Sequence, residues 1–389
     1  MDGLNAQGPV RMLMWLPDGE KQSILPRTVS HRTQLSLVLE SYFHIEEIVT
    51  ASRQSKERRE TFIDIESGKQ VARRMEAARI RIPQDRQDET QIRAQEALAK
   101  SSRQATAQVR DDPREWEKEL QELEEAYANK LFAQNLPGAR RGDGLQTPEF
   151  KRLLVLRHLL TFTDKRRVAL DGLLAKEDEI DALQIELLHK NLTPEEREAT
   201  AVKRDQIYKT FRDHLESSAA TLPKKLAFLS DDRRAFALEP PLLLWDRRTA
   251  EPLLAGENEF YKTRRASLLD FQPLIPRPYP LTEEQWIYFD YILKTVMNHG
   301  KLTMKHLQSL APGALEALMP HVPSLTDPLK GGRANYDELR ARCLTPEMAH
   351  GLAMAWERWS LRPDIVDIIS FDKGGEDFSG PSSGALGLR

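Results

Sequence analysis

Short apolar runs bounded by glycine and proline predict β-strands in two distant parts of the chain. Residues 10–16 are apolar except for Arg11 and lie between Gly-Pro and Pro-Asp-Gly sequences, which predicts a buried strand. Apolar and polar residues alternate over 35–49, which predicts a second strand, with an amphipathic helix as the alternative. Further along, the pattern predicts strands near 242–246 and 266–272. The chain is therefore expected to form a small sheet.

Residues 84–222 show a different pattern: 84–110 are polar all round, which predicts disorder or a solvated helix, and from Trp116 to Leu215 apolar side chains recur every three or four positions. Thr147 and Thr193 each precede Pro-Glu, which is the order expected at a helix start, and Asp112 precedes a proline in the same way. These signals predict three or four long helices packed mainly as hairpins. We interpret the block as a helical insertion that covers the sheet, with a docking arm for protein or nucleic acid as the alternative.

Helical spacing returns in the last third of the chain. Thr282 and Gln285 have the spacing of a capping box, and Thr345 precedes Pro-Glu. Between these positions the apolar residues Trp286 and Phe289 begin a stripe that continues at helical intervals. We therefore predict that the part after residue 281 is mainly helical.

Composition limits the classes of function. The chain has 389 residues, 40% of them hydrophobic, which is enough for a buried core and typical of two to three domains. Charged residues make up 30% but the net charge is only −3, so nucleic acid could be bound only by a local basic patch. The single cysteine, Cys343, excludes an internal disulfide and a cysteine-based zinc site, and we expect it to be buried. No apolar run approaches the roughly 20 residues of a membrane span.

Several short features of the second half of the chain occur in a particular order. They are Phe260-Tyr261, residues 268–273, Lys294, residues 310–314, residues 344–347, and the pair Trp356 and Trp359. This order resembles the C-terminal half of the rRNA adenine N6-dimethyltransferase superfamily, and within it the mitochondrial transcription factor B proteins of filamentous fungi. The opening segment GPVRMLMWLPDGEKQSILPR is similar to the family segment that follows its base-binding motif. The resemblance covers residues 8–51 and 241–364 and leaves out the middle of the chain.

The resemblance implies an α/β fold with additional helices. The expected architecture is a partial Rossmann-like methyltransferase sheet, a long helical insertion and a small C-terminal helical domain. The corresponding domain boundaries are 1–83 together with 236–280 for the α/β part, 84–235 for the insertion, 281–370 for a nucleic-acid-binding helical domain, and 371–389 for a disordered Gly/Ser-rich tail.

The chain departs from the family pattern at its cofactor and target-base sites. The family has a Gly-rich turn, an acidic residue at the end of the next strand, and an Asn/Asp-Pro-Pro-Tyr-like loop, and none of these occurs in this sequence. We therefore predict no catalytic residue, no metal site and no S-adenosylmethionine binding by the chain as given, although a full-length active family member would use that cofactor. The expectation is an N-terminally short family member or an incomplete gene model.

One group of residues is a candidate site for nucleic acid. The basic residues are Arg264, Arg265, Arg277, Lys294, Lys301 and Lys305. Tyr261, Tyr279 and Trp286 are interleaved with them, and aromatic rings can stack on bases while basic groups neutralise phosphates. The alternative is an ordinary solvated surface with the aromatic residues in the core.

The resemblance implies a mitochondrial transcription factor B-like protein that helps mitochondrial RNA polymerase to open promoters. The expected partners are RNA or promoter DNA and the polymerase, and the expected location is the mitochondrial matrix, for a monomer without a membrane span. The opening residues MDGLNAQ do not form an Arg-rich presequence. One alternative is an S-adenosylmethionine-dependent rRNA adenine N6-dimethyltransferase, and another is a helical scaffold that binds only protein.

Overall fold

The computed structural model describes residues 8–51, 59–88, 91–92, 94–96, 115–135, 146–259, 265–297, 304–366 and 368. The strands are β1 (Met12–Pro17), β2 (Phe43–Thr50), β3 (Leu253–Leu254) and β4 (Ala266–Pro273). The helices are α1 (Asp18–Ile24), α2 (Gln34–Tyr42), α3 (Thr61–Ala78), α4 (Glu115–Ala128), α5 (Pro148–His189), α6 (Pro194–Ser217), α7 (Thr221–Ala237), α8 (Leu244–Arg247), α9 (Glu283–Met297), α10 (Ala314–Leu318) and α11 (Pro346–Arg358). The fold is mixed α/β, as predicted in general class.

The strands form one small mixed sheet in the order β1-β4-β2-β3. β4 lies between β1 and β2 and is antiparallel to both, whereas β2 and β3 are parallel. Leu268 of β4 is opposite Trp15 of β1 on one side and Val49 of β2 on the other. The strands predicted near 10–16 and 266–272 are therefore confirmed, and they are direct neighbours in the sheet.

The strand predicted over 35–49 is wrong in its first half. Residues Gln34–Tyr42 form a helix, and the strand begins only at Phe43. The side chains of Thr33 and Ser36 each bond the other's backbone N–H and close a capping box, which fixes the helix start. Leu37 is fully buried in the main core, so packing on one face of the helix outweighs the two-residue alternation. The helical alternative was correct for this part.

The strand predicted near 242–246 is also wrong, because residues Leu244–Arg247 form one helical turn. Leu242, Leu243 and Trp245 are all buried. A continuous apolar run signals burial on every side and does not distinguish a strand from a buried helical turn, which explains the error.

β1 was predicted to be buried, and it is not. Leu13, Met14 and Trp15 are 62%, 41% and 54% exposed. Among the described strands, β1 pairs only with β4, so it is an edge strand. Only Met12 and Leu16, on one face, pack against the core below the sheet. The apolar sequence therefore predicted the strand correctly, but it did not predict that the strand lies at the edge of the sheet.

The main hydrophobic core lies between α9, α11 and α2. Phe289 and Trp356 are buried in it together with Leu37 and Leu243. This buried cluster crosses the predicted boundary at residue 280, because it combines residues from the α/β part with the C-terminal helices. The division into separate domains stays a prediction.

The long helices predicted in this part of the chain are present, whereas their description as an insertion stays a prediction. The Thr147 and Thr193 side chains cap α5 and α6 as their sequences indicate, whereas Asp112 lies outside the described residues. α5 has 42 residues and is about 63 Å long. α4 packs on its first half, and α6 and α7 pack on its second half, which gives two separate small cores.

Candidate ligand cleft and the predicted basic residues

A cleft of about 980 Å³ lies on the exposed face of the sheet. It is lined by Trp15, Val49, Arg81, Pro83, Arg86, Leu253, Leu254, Ala255, Glu259 and Ala266. Trp15 and Val49 are both opposite Leu268, and Ala266 is two residues before it, so all three lining residues share one face of the sheet. Apolar side chains from three of the strands thus form the floor.

The wall of the cleft is the segment that follows α3. Arg79 ends this helix in the left-handed conformation, with φ of 58°, and the chain then turns back toward β3. The guanidinium of Arg86 donates to both oxygens of Glu259, at 2.7 and 2.5 Å, and to the carbonyl of Leu254 at 3.2 Å. The two bonds from Arg86 to Glu259, together with a bond from the Gly256 N–H at 2.9 Å, lower the pKa of Glu259 to about 2, so its carboxylate stays ionised and compensates the Arg86 charge.

Arg81 differs from Arg86 because it has no ion-pair partner within the described part of the chain. It is exposed and lines the same cleft as the Trp15 indole. Trp15 is the most exposed of the six tryptophans. The cleft therefore combines an apolar floor, an aromatic side chain that is 54% exposed and a cation without an ion-pair partner among the described residues, which suits binding of a planar anionic ligand. Glu259, the acidic lining residue, is engaged by Arg86, so the lining provides binding groups rather than a general base.

The predicted basic residues do not form one compact patch. Arg265 immediately precedes β4, and Arg277 follows its other end. The strand alone separates them by about 23 Å, at about 3.3 Å per residue. Arg264 and Lys301 lie outside the described residues, so their place relative to these arginines stays a prediction.

The remaining predicted cations differ in how far they are compensated. Lys294 is paired with Asp290 at 2.9 Å, whereas Lys305 is exposed on the helical turn Met304–Ser309. The Arg277 guanidinium lies 5.6 Å from the ring centroid of Tyr42. A cation on an aromatic face keeps its positive charge, so Arg277 and Lys305 are the better phosphate contacts of this group.

The aromatic residues of the prediction are divided between core and surface. Trp286 packs against the main core, its ring centroid 5.6 Å from that of Tyr42. Tyr279 lies 5.4 Å from the His350 ring, and Tyr261 lies outside the described residues. For Trp286 the alternative of a core aromatic residue is therefore favoured.

Sequence reasoning missed the buried charge clusters. Arg59 donates to both carboxylate oxygens of Asp246, at 2.8 and 2.7 Å, and the Ser67 hydroxyl donates to the same carboxylate at 2.6 Å. Asp232 lies nearby, accepts the Val29 N–H at 2.8 Å, and has its pKa raised by burial to about 6. These residues are far apart in the chain and carry no motif, so no local signal could have identified them.

A second buried cluster joins the insertion to the C-terminal part. The Arg333 guanidinium bonds Glu177 of α5 at 3.1 Å and Asp231 of α7 at 3.1 Å. All three residues are buried, and Arg340 also reaches Asp231 at 2.8 Å. The arrangement links α5 and α7 to the segment that contains Arg333 and Arg340.

Comparison with known proteins identifies no relative. No family model, no curated protein and no solved structure matches this chain. None of the described helices combines the length and the apolar character that a membrane crossing needs. The described residues also contain no group of three or more histidine, cysteine, aspartate or glutamate side chains placed to hold a metal ion.

Proposed function

We propose that this protein binds nucleic acid as a member of the rRNA adenine N6-dimethyltransferase superfamily, of the mitochondrial transcription factor B type. Its role would be to assist promoter opening by mitochondrial RNA polymerase in the mitochondrial matrix. One observation carries the proposal: the two separate segments that resemble the family are joined in one sheet. Arg11 beside β1 and Asp270 of β4 are 259 positions apart and yet form a hydrogen-bonded ion pair at 2.9 and 2.5 Å.

The pairing supports the proposal because a chance resemblance would not require contact between the segments. The helical block between them contributes no strand among its described residues, and its two small cores lie outside the sheet. Binding would use exposed cations such as Arg81, Arg277 and Lys305, since the net charge of −3 provides no general attraction.

A binding measurement tests the proposal. Fluorescence anisotropy would compare a bubble duplex, a fully paired duplex of the same sequence and single-stranded RNA at several salt concentrations. We expect tighter binding to the bubble than to the paired duplex, with affinity that falls as salt rises because phosphate contacts release counterions. Absence of binding to all three at low salt would refute the proposal.

A transcription assay tests the specific role. With mitochondrial RNA polymerase, the protein should stimulate initiation on a closed linear promoter and have little effect on a template that already contains a bubble. The physical reason is that pre-melted DNA removes the unpairing step that the protein is proposed to assist. Equal stimulation of both templates would argue against a role in opening.

Cofactor binding distinguishes the methyltransferase alternative from the proposed function. A nucleotide-type cofactor needs a Gly-rich turn for close backbone approach and an acid for the ribose hydroxyls, and the sequence contains neither in that setting. Calorimetry with S-adenosylmethionine is expected to show no binding by this chain. Micromolar binding, or methylation of an rRNA fragment, would instead favour the methyltransferase.

A second candidate, a helical scaffold that binds protein, is favoured by one stretch of α5. Val155, Leu159 and Phe162 lie on one stripe of this helix and are exposed, whereas the same stripe is buried further along at Leu173 and Ile180. An exposed apolar stripe of this kind indicates a contact surface.

A photo-crosslinking amino acid tests the scaffold candidate in the full chain. Placed at Leu159, it should give a discrete protein adduct in extracts of the source organism, and placed at the exposed polar residue Asp213 it should not. The same pattern of adducts from both positions would remove this candidate.

A further inference from the structure

The cleft on the exposed face of the sheet has the composition of a base-stacking site. We propose that it seats one unstacked nucleotide of a single strand, with the base on the Trp15 indole and a phosphate at Arg81. This inference rests on the proposed function, because it assigns the nucleic acid to a definite place. It adds a site that the predicted basic residues do not include.

The first argument is the exposure of Trp15. Its side chain is 54% exposed, whereas Trp356 is buried in the main core and Trp245 in the core below the sheet. The surrounding lining from Val49 and Leu253 is apolar. A base that stacks on the indole there would therefore remove apolar surface of the base, the indole and this lining from water. Base–aromatic stacking is tolerant of sequence because every base has a π-face.

The second argument is charge. The guanidinium groups of Arg86, Arg11 and Arg59 are each held by a carboxylate, whereas Arg81 makes no ion pair with any described residue. Arg81 is therefore the lining cation that can neutralise a phosphate without first breaking an ion pair. The pair of Arg86 and Glu259 has a different role, because it fixes the wall against the end of β3.

The third argument is the form of the cleft. Its volume of about 980 Å³ lies at the upper end of the range for ligand pockets, which is ample for one nucleotide. A base inside a duplex is stacked on both sides and cannot reach the Trp15 ring. The site therefore selects single-stranded or opened nucleic acid, which agrees with a protein that assists promoter opening.

The test uses the full-length chain and a fluorescein-labelled 12-nucleotide single strand, as RNA and as DNA of the same sequence. Trp15→Ala should weaken binding by about 5- to 150-fold, which corresponds to the loss of one stacked base. Arg81→Ala should flatten the slope of log K against log salt by about 0.7. The RNA and DNA arms show which sugar the cleft accepts.

Matched controls come from exposed positions on α3. Phe62→Ala removes an aromatic ring of equal exposure, 55%, and Arg73→Ala removes an exposed cation. Both should leave affinity and salt slope unchanged. Trp15→Phe keeps an aromatic face on β1 and should retain most of the affinity, which separates loss of stacking from loss of the fold.

An oligonucleotide with abasic sites decides whether the ring contacts a base. If it does, removing the bases should weaken binding by the parent chain, and Trp15→Ala should cause no further loss on the abasic strand. If Trp15→Ala and Arg81→Ala bind like the two α3 controls, the cleft proposal is overturned while the proposed function stands. If the parent chain binds no oligonucleotide at low salt, the proposed function fails and the cleft proposal fails with it.

Discussion

The buried pair of Arg59 and Asp246 allows a quantitative prediction of stability. The side chains of Arg59 and Asp246 are 1% and 0% exposed, and two hydrogen bonds at 2.8 and 2.7 Å join them. Among the described residues, Arg59→Ala would leave the buried Asp246 carboxylate with the Ser67 hydroxyl as its one side-chain donor. Removing one member of a buried ion pair typically costs 3–5 kcal/mol, so we expect a loss of about 3–5 kcal/mol in the free energy of unfolding at pH 7.

A surface pair that is also joined by two hydrogen bonds provides the comparison. Arg157 donates two hydrogen bonds to Glu124, at 2.7 and 2.6 Å, but both side chains are 41% exposed. Solvent screens this pair, so Arg157→Ala should cost less than about 1 kcal/mol. The main difference between the two pairs is burial, because both are joined by two hydrogen bonds of similar length, from Nη1 and Nη2 of Arg59 and from Nε and Nη2 of Arg157.

Urea denaturation followed by circular dichroism measures both variants. The double variant Arg59→Met/Asp246→Leu should recover more than half of the loss, because it also removes the buried Asp246 charge that Arg59→Ala leaves without its partner. The reasoning is refuted if Arg59→Ala and Arg157→Ala have equal effects. It is also refuted if the double variant is less stable than Arg59→Ala.

Three further predictions concern pH, the edge strand and the predicted lysines. Burial raises the pKa of Asp232 from 3.8 to about 6, so the stability that its protonated form contributes is present below about pH 4 and is lost as pH rises through 6. Asp232→Asn keeps an acceptor for the Val29 N–H and should flatten the pH dependence of the free energy of unfolding over this range. An unchanged pH profile would contradict this assignment. Leu13→Lys on the exposed edge strand should reduce aggregation in light scattering, and equal scattering would show that this edge does not drive association. Lys301→Ala with Lys305→Ala should flatten the salt slope of oligonucleotide binding by up to about 2, and an unchanged slope with the fold intact would remove both from the site.

The helix boundaries were largely determined by the local sequence. The predicted caps at Thr147, Thr193 and Thr345 each accept a bond from a backbone N–H three residues later. Thr282 and Gln285 likewise form the predicted capping box. These interactions involve neighbours within one turn, so the sequence contains all the information that they need.

The strands were determined by sequence only in part. β1 and β4 were found because each is a short apolar run bounded by turn residues, but the same pattern near 242–246 led to a wrong prediction of a strand where the chain forms a helical turn. The first half of the predicted strand 35–49 became helix because Leu37 packs into a core formed with distant residues, among them Phe289. Alternation alone carries no information about which side of a segment will meet a core.

The candidate cleft is formed only by the tertiary structure, and its lining could not be predicted from the sequence. Trp15, Arg81 and Leu253 belong to three segments far apart in the chain, and only the strand order β1-β4-β2-β3 and the turn after α3 bring them to one surface. A single tryptophan in an aliphatic run was the sequence signal available at residue 15, and it predicted burial. Exposure depends on which neighbours a strand acquires, and that is decided by the long-range pairing of the whole fold.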